Sequence, residues 1–170
     1  HDIKPGRAEQ AVQETKTSLA NLEACGFLKS AARCSDHLFP VESLDAAIKG
    51  ATFVQENVLE TPDEKLSVFK ELDRKVPHDV ILGSSASTIP ASTFTKHLKG
   101  RERCIIVHPC NPPYLVPLVE IVPTPWTAEL TTEYCMDLMR QVNLVPILLH
   151  KEIYGFVLNR LQIALVNEAM

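Results

Sequence analysis

Little in this chain is arranged for a metal, a nucleic acid or a membrane. Its five cysteines (Cys25, Cys34, Cys104, Cys110 and Cys135) are odd in number and form no C-x-x-C pair. Neither a zinc site nor a disulfide frame is expected, and they read as reduced thiols of a cytoplasmic protein. Charge of one sign is missing too: 17 Lys and Arg against 21 Asp and Glu give a net charge of −4. The basic residues are scattered, with Arg101 and Arg103 reading as a solvated turn, so nothing offers a phosphate track for nucleic acid. No apolar run approaches the roughly 18 residues that span a bilayer. The longest candidate, 114–122, is interrupted by Pro117 and Glu120. The polar start at His1 offers no secretory leader. The six glycines are widely separated, so G-x-G-x-x-G does not occur, and there is neither an internal repeat nor a low-complexity segment.

What remains is the composition of a folded globular protein, 45% apolar and 22% charged over 170 residues, enough to bury a real core. Near-helical spacing of Val12, Leu19 and Leu22 predicts a helix over 9–24, stopped by Cys25-Gly26. Residues 43–50 read as a short helix with Ser43 at its cap and Gly50 at its end. A strand is expected over 51–55. Thr61-Pro62-Asp63-Glu64 then opens a helix, with a capping hydroxyl, a proline at the first helical position and an acid three residues on. Strands follow at 80–82, 104–108, 116–122 and 145–149, and helices after Pro90, over 127–142 and from Tyr154 onward. Strands alternating with helices predict an α/β sheet with crossovers. A dinucleotide-binding version of that sheet needs a glycine-rich first turn, which these residues lack. With no initiator methionine, and with Met170 inside an apolar-periodic stretch, the expectation is an internal fragment of a longer protein.

Chemistry concentrates around His108-Pro-Cys-Asn-Pro-Pro113. His108 ends an apolar strand, where α/β sheets place ligands, and Pro109, Pro112 and Pro113 stiffen the backbone behind it. Glu120 stands alone in the apolar run 116–122, where an unpaired charge is costly. Paired with His108 it would fix the imidazole tautomer and stabilise the imidazolium, the equipment of a general base. The plainer readings are a loop histidine and an outward-facing strand glutamate. Ser84, Ser85, Ser87 and Thr88 follow another strand and are either a polar loop or hydroxyls for a substrate oxygen or ribose. Asn159, among apolar Phe156, Val157, Leu158 and Leu161, is either a buried structural amide or a substrate ligand. Cys110 raises a thiol nucleophile as a rival, but no second basic residue is placed to lower its pKa.

Taken in order, Asp2, Val54-Gln-Glu-Asn-Val58, Ser85-Ala-Ser-Thr88, His108-x-x-Asn-Pro112, Leu118-Val-Glu120 and Gly155-Phe-Val-Leu-Asn-Arg160 resemble the 3-hydroxyacyl-CoA dehydrogenase family across nearly the whole chain. His108-Pro-Cys-Asn-Pro-Pro-Tyr114 and Val122-Pro-Thr-Pro125 are similar to its L-gulonate 3-dehydrogenase branch. Ala86 departs from the threonine or similar residue often found there.

The resemblance implies a Rossmann-type dinucleotide-binding domain over 1–150, without its first strand and glycine-rich turn. Residues 151–170 would be the first helix of an all-helical substrate and dimerisation domain. It implies His108 and Glu120 as catalytic pair, Ser87 and Asn159 as substrate-side hydrogen-bonding residues, and Asp2, Glu60, Lys65 and Ser87 as contacts to NAD. An acid at Asp2 favours NAD over NADP. It further implies a small hydroxy-acid substrate and a homodimer in the full-length protein, no metal, and a fragment that neither folds well nor works alone. L-gulonate is the expected substrate and 3-hydroxyacyl-CoA the alternative. A non-catalytic, crystallin-type NAD-binding protein is the rival from another class.

Overall fold

The computed structural model describes residues 1–170, which fall into two compact units, His1–Ala51 and Thr52–Met170. The first is helical. Its helix α1 (Arg7–Ala24) buries no residue and ends at Cys25, whose amide bonds back to Asn21 O. Helix α2 (Ala31–Ser35) packs against α1, and α3 (Leu44–Ile48) follows. Ser30 and Ser43 cap α2 and α3 through the amides of Arg33 and Ala46. Ser30 is a capping signal that the sequence reading passed over; the Ser43 cap lies where it was expected.

The second unit is a five-stranded sheet in the order β1 (Phe53–Glu56), β2 (Ile81–Ser84), β3 (Cys104–Pro109), β4 (Leu118–Pro123), β5 (Val145–Leu148). Helix α4 (Pro62–Lys75) connects β1 to β2, and a short helix α5 (Ser92–Thr95) and a 3-10 turn (Arg101–Arg103) precede β3. Helix α6 (Glu129–Gln141) connects β4 to β5, and α7 (Leu158–Ala169) closes the chain. The Thr61 hydroxyl accepts from the Glu64 amide at 3.4 Å with Pro62 opening the helix, so α4 starts where its capping sequence predicts.

Four neighbouring pairs do not all run the same way. β1, β2 and β3 are mutually parallel and β4 is parallel to β5, but β3 and β4 are antiparallel. The cause is the length of the connection: segment 110–117 is too short for the crossover of a dozen or so residues that parallel neighbours need. A uniform series of crossovers is therefore not what forms here.

Side-chain alternation sorts the sheet into two faces. Ile81, Ile105, Val107, Val119 and Ile121 form one core with Cys135 and Met139 of α6, and Phe53 packs against it. Gln55 and Gly83 share this face. Gly83 is needed for close approach: a Cβ there would lie 2.6 Å from Gln55 Oε1 and 2.7 Å from Phe53 Cζ. Gln55 reaches across to donate to the Val107 carbonyl at 2.8 Å. On the opposite face lie Glu56, Leu82, Ser84, Ile106, His108, Glu120 and Val122; between α4 and α5 the rings of Phe69 and Phe94, both buried, meet at 5.0 Å. Residues 104–107 of β3 are all buried, as expected of a strand covered on both faces. Every buried carboxylate and imidazole of the sheet thus falls on one face, toward the carboxyl ends of β1, β2 and β3.

The last helix begins later than the apolar spacing suggests. Gly155 (φ +77°) and Phe156 (φ +47°) occupy the left-handed region, which a right-handed helix cannot continue through. Residues 154–157 are turns and α7 starts at Leu158, which places Asn159 in its first turn.

Candidate active site

The antiparallel register sets His108 directly opposite Glu120. Both are buried, at 7% and 1% exposure, and His108 Nδ1 lies 2.8 Å from Glu120 Oε2. The other carboxylate oxygen, Oε1, accepts the amides of Val157 and Leu158, each at 2.9 Å. These amides stand at the start of α7, where unpaired N–H groups and the helix dipole favour an anion. Burial works to raise the Glu120 pKa. The hydrogen bond from His108 and the two backbone amides outweigh it and hold the carboxyl below the ordinary glutamate range. An ionised carboxylate only accepts, so the proton between the two groups sits on Nδ1. In the neutral imidazole this leaves the lone pair of Nε2 for chemistry. The Phe156 ring, fully buried and 5.6 Å from the imidazole, packs against it. The left-handed backbone at Gly155–Phe156 therefore delivers both an aromatic neighbour for His108 and the amides that hold Glu120.

A loop at the end of β2 meets the same turn. Asn159 Nδ2 donates to the Ser87 carbonyl at 2.7 Å, and the Gly155 amide donates to Thr88 O at 2.9 Å. Ser87 and Asn159 are thus brought together, while the Ser87 hydroxyl takes no part in these bonds. Ala86 is fully buried beneath the loop.

From the other side, Glu60 Oε1 accepts the amides of Ser87 at 2.8 Å, Thr88 at 2.9 Å and Ile89 at 3.4 Å, and the Thr88 hydroxyl at 3.2 Å. Partial burial opposes ionisation of Glu60, but the Thr88 amide, the Lys65 ammonium and the neighbouring amides together lower its pKa. Lys65 has no exposed surface: its Nζ is 3.4 Å from Glu60 Oε2 and 3.1 Å from Glu56 Oε1. Glu56 also accepts the Ser84 hydroxyl at 2.6 Å and the Val58 amide at 2.5 Å. Glu56 is the functional candidate that the sequence reading missed. Its one signal was an acid on the covered end of a strand, in Val54-Gln-Glu-Asn-Val58.

Asp2 belongs to the first unit. Its Oδ1 accepts the Lys4 amide at 2.8 Å, and it lines a cleft of about 200 Å³ with His1, Arg7, Phe39 and Pro40 among its walls. Cys110 lies beyond the end of β3 as an unpaired, half-buried thiol. No cluster of three or more His, Cys, Asp or Glu residues could hold a metal ion, and no helix is long and apolar enough to cross a membrane.

A family model described as 3-hydroxyacyl-CoA dehydrogenase, NAD binding domain, matches residues 1–153. The chain is 39% identical over 172 residues to a lambda-crystallin homolog of Rattus norvegicus, covering 99% of this chain and 54% of that protein. It is 36% identical over 170 residues to an L-carnitine dehydrogenase of Oceanobacillus iheyensis, covering 100% of this chain and 55% of the relative. It superposes on the crystal structure of 3-hydroxybutyryl-CoA dehydrogenase from Escherichia coli with a TM-score of 0.91 at 26% identity, over 99% of this chain and 36% of that one. The chain thus spans about half the length of the curated relatives it matches.

Proposed function

The chain belongs to the 3-hydroxyacyl-CoA dehydrogenase family, with a Rossmann-type sheet, and from that premise we propose that the protein carrying it oxidises the 3-hydroxyl of a small hydroxy acid with NAD. The observation that carries the proposal is the His108–Glu120 pair, 2.8 Å apart and buried, with Nε2 left as the free base.

The residues present suit part of the cofactor. At the carboxyl ends of β1 and β2, exposed Val58 and Leu59 and the Ser87 hydroxyl offer apolar and polar surface to a nicotinamide ribose. In the first unit, the Asp2 carboxylate in its cleft offers acceptors to the adenosine ribose. Residues 1–170 hold no glycine-rich turn for the pyrophosphate. NAD, when bound, supplies the hydride acceptor. Within the chain, His108 Nε2 takes the hydroxyl proton as the carbon–oxygen double bond forms. Glu120 stabilises the imidazolium left behind. The Ser87 hydroxyl and the remaining Asn159 N–H hold the substrate oxygen while its charge develops. General-base help of this kind is typically worth about 10²–10⁴-fold.

L-gulonate is our preferred substrate, resting on the likeness of 108–114 to that branch, with 3-hydroxyacyl-CoA second. We place the enzyme in the cytoplasm, in keeping with five unpaired thiols. We also read it as a homodimer, since Leu161, Ile163, Leu165 and Val166 of α7 present uncovered apolar surface. The test is NADH formation by the purified intact enzyme on both substrates. Faster turnover of L-gulonate is expected. Preference for the acyl-CoA would move the assignment to the second substrate, and NAD binding without turnover of either would favour the crystallin-type role.

A further inference from the structure

Buried Glu56 and Lys65, with the partly exposed Glu60, form a charged set that the proton transfer does not use. Taking a lysine wholly out of water costs several kcal/mol unless its partners are close and its donors are satisfied. Lys65 meets that condition with a carboxylate on either side. The set does not end on itself. Glu56 holds Ser84, the last residue of β2, and the Ser84 hydroxyl in turn accepts the Ala86 amide at 3.2 Å. Glu60 holds the next three amides of the same loop. The loop's carbonyls then hold Asn159 and Gly155, and the amides that follow, Val157 and Leu158, hold Glu120. Hydrogen bonds joined by short stretches of backbone thus connect Glu56 to His108.

We infer that Glu56, Lys65 and Glu60 are positioning residues, a clamp on loop 84–89 that keeps Ser87 and Asn159 in place against the turn that holds Glu120. The inference rests on the dehydrogenase reading for its kinetic consequence, though not for its geometry. It also gives Lys65 a role different from direct contact with NAD, because the ammonium is enclosed by Glu56 and Glu60. The clamp touches the backbone of the loop and leaves the Ser87 hydroxyl unengaged, so it sets the position of that hydroxyl without competing for it.

The experiment is amide hydrogen exchange on the intact protein, comparing wild type with Lys65→Met and Glu60→Gln. Exchange at Ser87, Thr88 and Ile89 should quicken by about 10-fold or more, as the loss of charge-assisted bonds implies, relative to Val107 and Ile121 in the sheet. Equal acceleration everywhere would reduce the set to a general stabiliser and overturn the inference, as would no change at 87–89. Lys65→Met could fail to fold, and Glu60→Gln, whose side chain is 36% exposed, then decides. In turnover assays both variants should lower kcat/KM for the hydroxy acid about 10- to 100-fold with NAD affinity unchanged. Loss of NAD affinity with normal exchange at 87–89 would show Lys65 to be a cofactor contact. Should the protein prove not to be a dehydrogenase, the exchange pattern alone still tests the clamp.

Discussion

Two charged groupings, each built on a buried carboxylate of one face of one sheet, differ in what they leave unfilled. Around Glu56, Lys65 and Glu60, the carboxylates face a lysine, a serine and loop amides, and the ammonium is shared between two acids. Around Glu120, both carboxylate oxygens are likewise filled, but the imidazole they hold has a second nitrogen free of those bonds. The first grouping spends its donors and acceptors on itself and on the loop backbone, with Glu60 partly exposed. The second holds one side of a ring so that the other side can exchange a proton. Burial is common to both; on the proposed reading, the unfilled valence is what separates a catalytic charge from a scaffolding one.

Substitutions can break this contrast. The largest effect is expected from His108→Asn in the intact enzyme, which keeps a polar group but removes the base. Turnover should fall about 10²–10⁴-fold with the thermal midpoint little changed, read by steady-state rates and calorimetry together. A large stability loss with modest kinetic loss would invert the assignment of the two groupings. Lys65→Met should do the reverse, costing about 3–5 kcal/mol because it strands the buried Glu56 carboxylate, measured by denaturant unfolding. A near-neutral result would mean that Glu56 and Glu60 are held by their amide and hydroxyl donors alone.

Gly83→Ala tests the opposite face, where the added methyl would press on Gln55 and Phe53. Overpacking there should cost about 1–3 kcal/mol, and no loss would show that these side chains yield. Thr61→Ala removes the cap of α4, the helix that carries Lys65, and should cost about 1 kcal/mol. Acidification sharpens the comparison differently. Glu60 and Glu120 both have lowered pKa values in the folded chain. Their contribution is therefore present above the unfolded glutamate value of about 4.3 and is lost as pH falls below it through the folded values. Unfolding midpoints measured from pH 6 down to pH 3 should drop over that window, and Glu120→Gln should flatten part of the drop.

How much of this was legible in the sequence depended on whether the signal was local. Thr61-Pro62-Glu64 announced α4 because a cap is a four-residue event. The apolar runs of β2, β3 and β4 announced strands for the same reason. The opposition of His108 and Glu120 was foreseeable from a lone acid in an apolar run. The antiparallel turn that brings them together does not show in the alternation, which carries no strand direction, but in the shortness of the 110–117 connection, a signal passed over. Glu56 and Lys65 were harder. They are charges on a strand end and a first helical turn, where exposure is the ordinary state, and their burial comes from a loop 28 residues beyond Glu56. Phe156 was unreadable too, since a non-glycine residue with positive φ has no local mark.

The central claim is that Glu120 acts through His108 rather than as scaffolding, and Glu120→Gln in the intact enzyme tests it most directly. The substitution keeps the shape and an acceptor for the Val157 and Leu158 amides but removes the charge facing the imidazole. Single-turnover hydride transfer to NAD should fall by at least about 10-fold, with NAD affinity and folding retained, since a hydrogen bond to a charged group is worth about 1.5–3 kcal/mol. A variant that transfers hydride at the wild-type rate across the pH range would contradict the account.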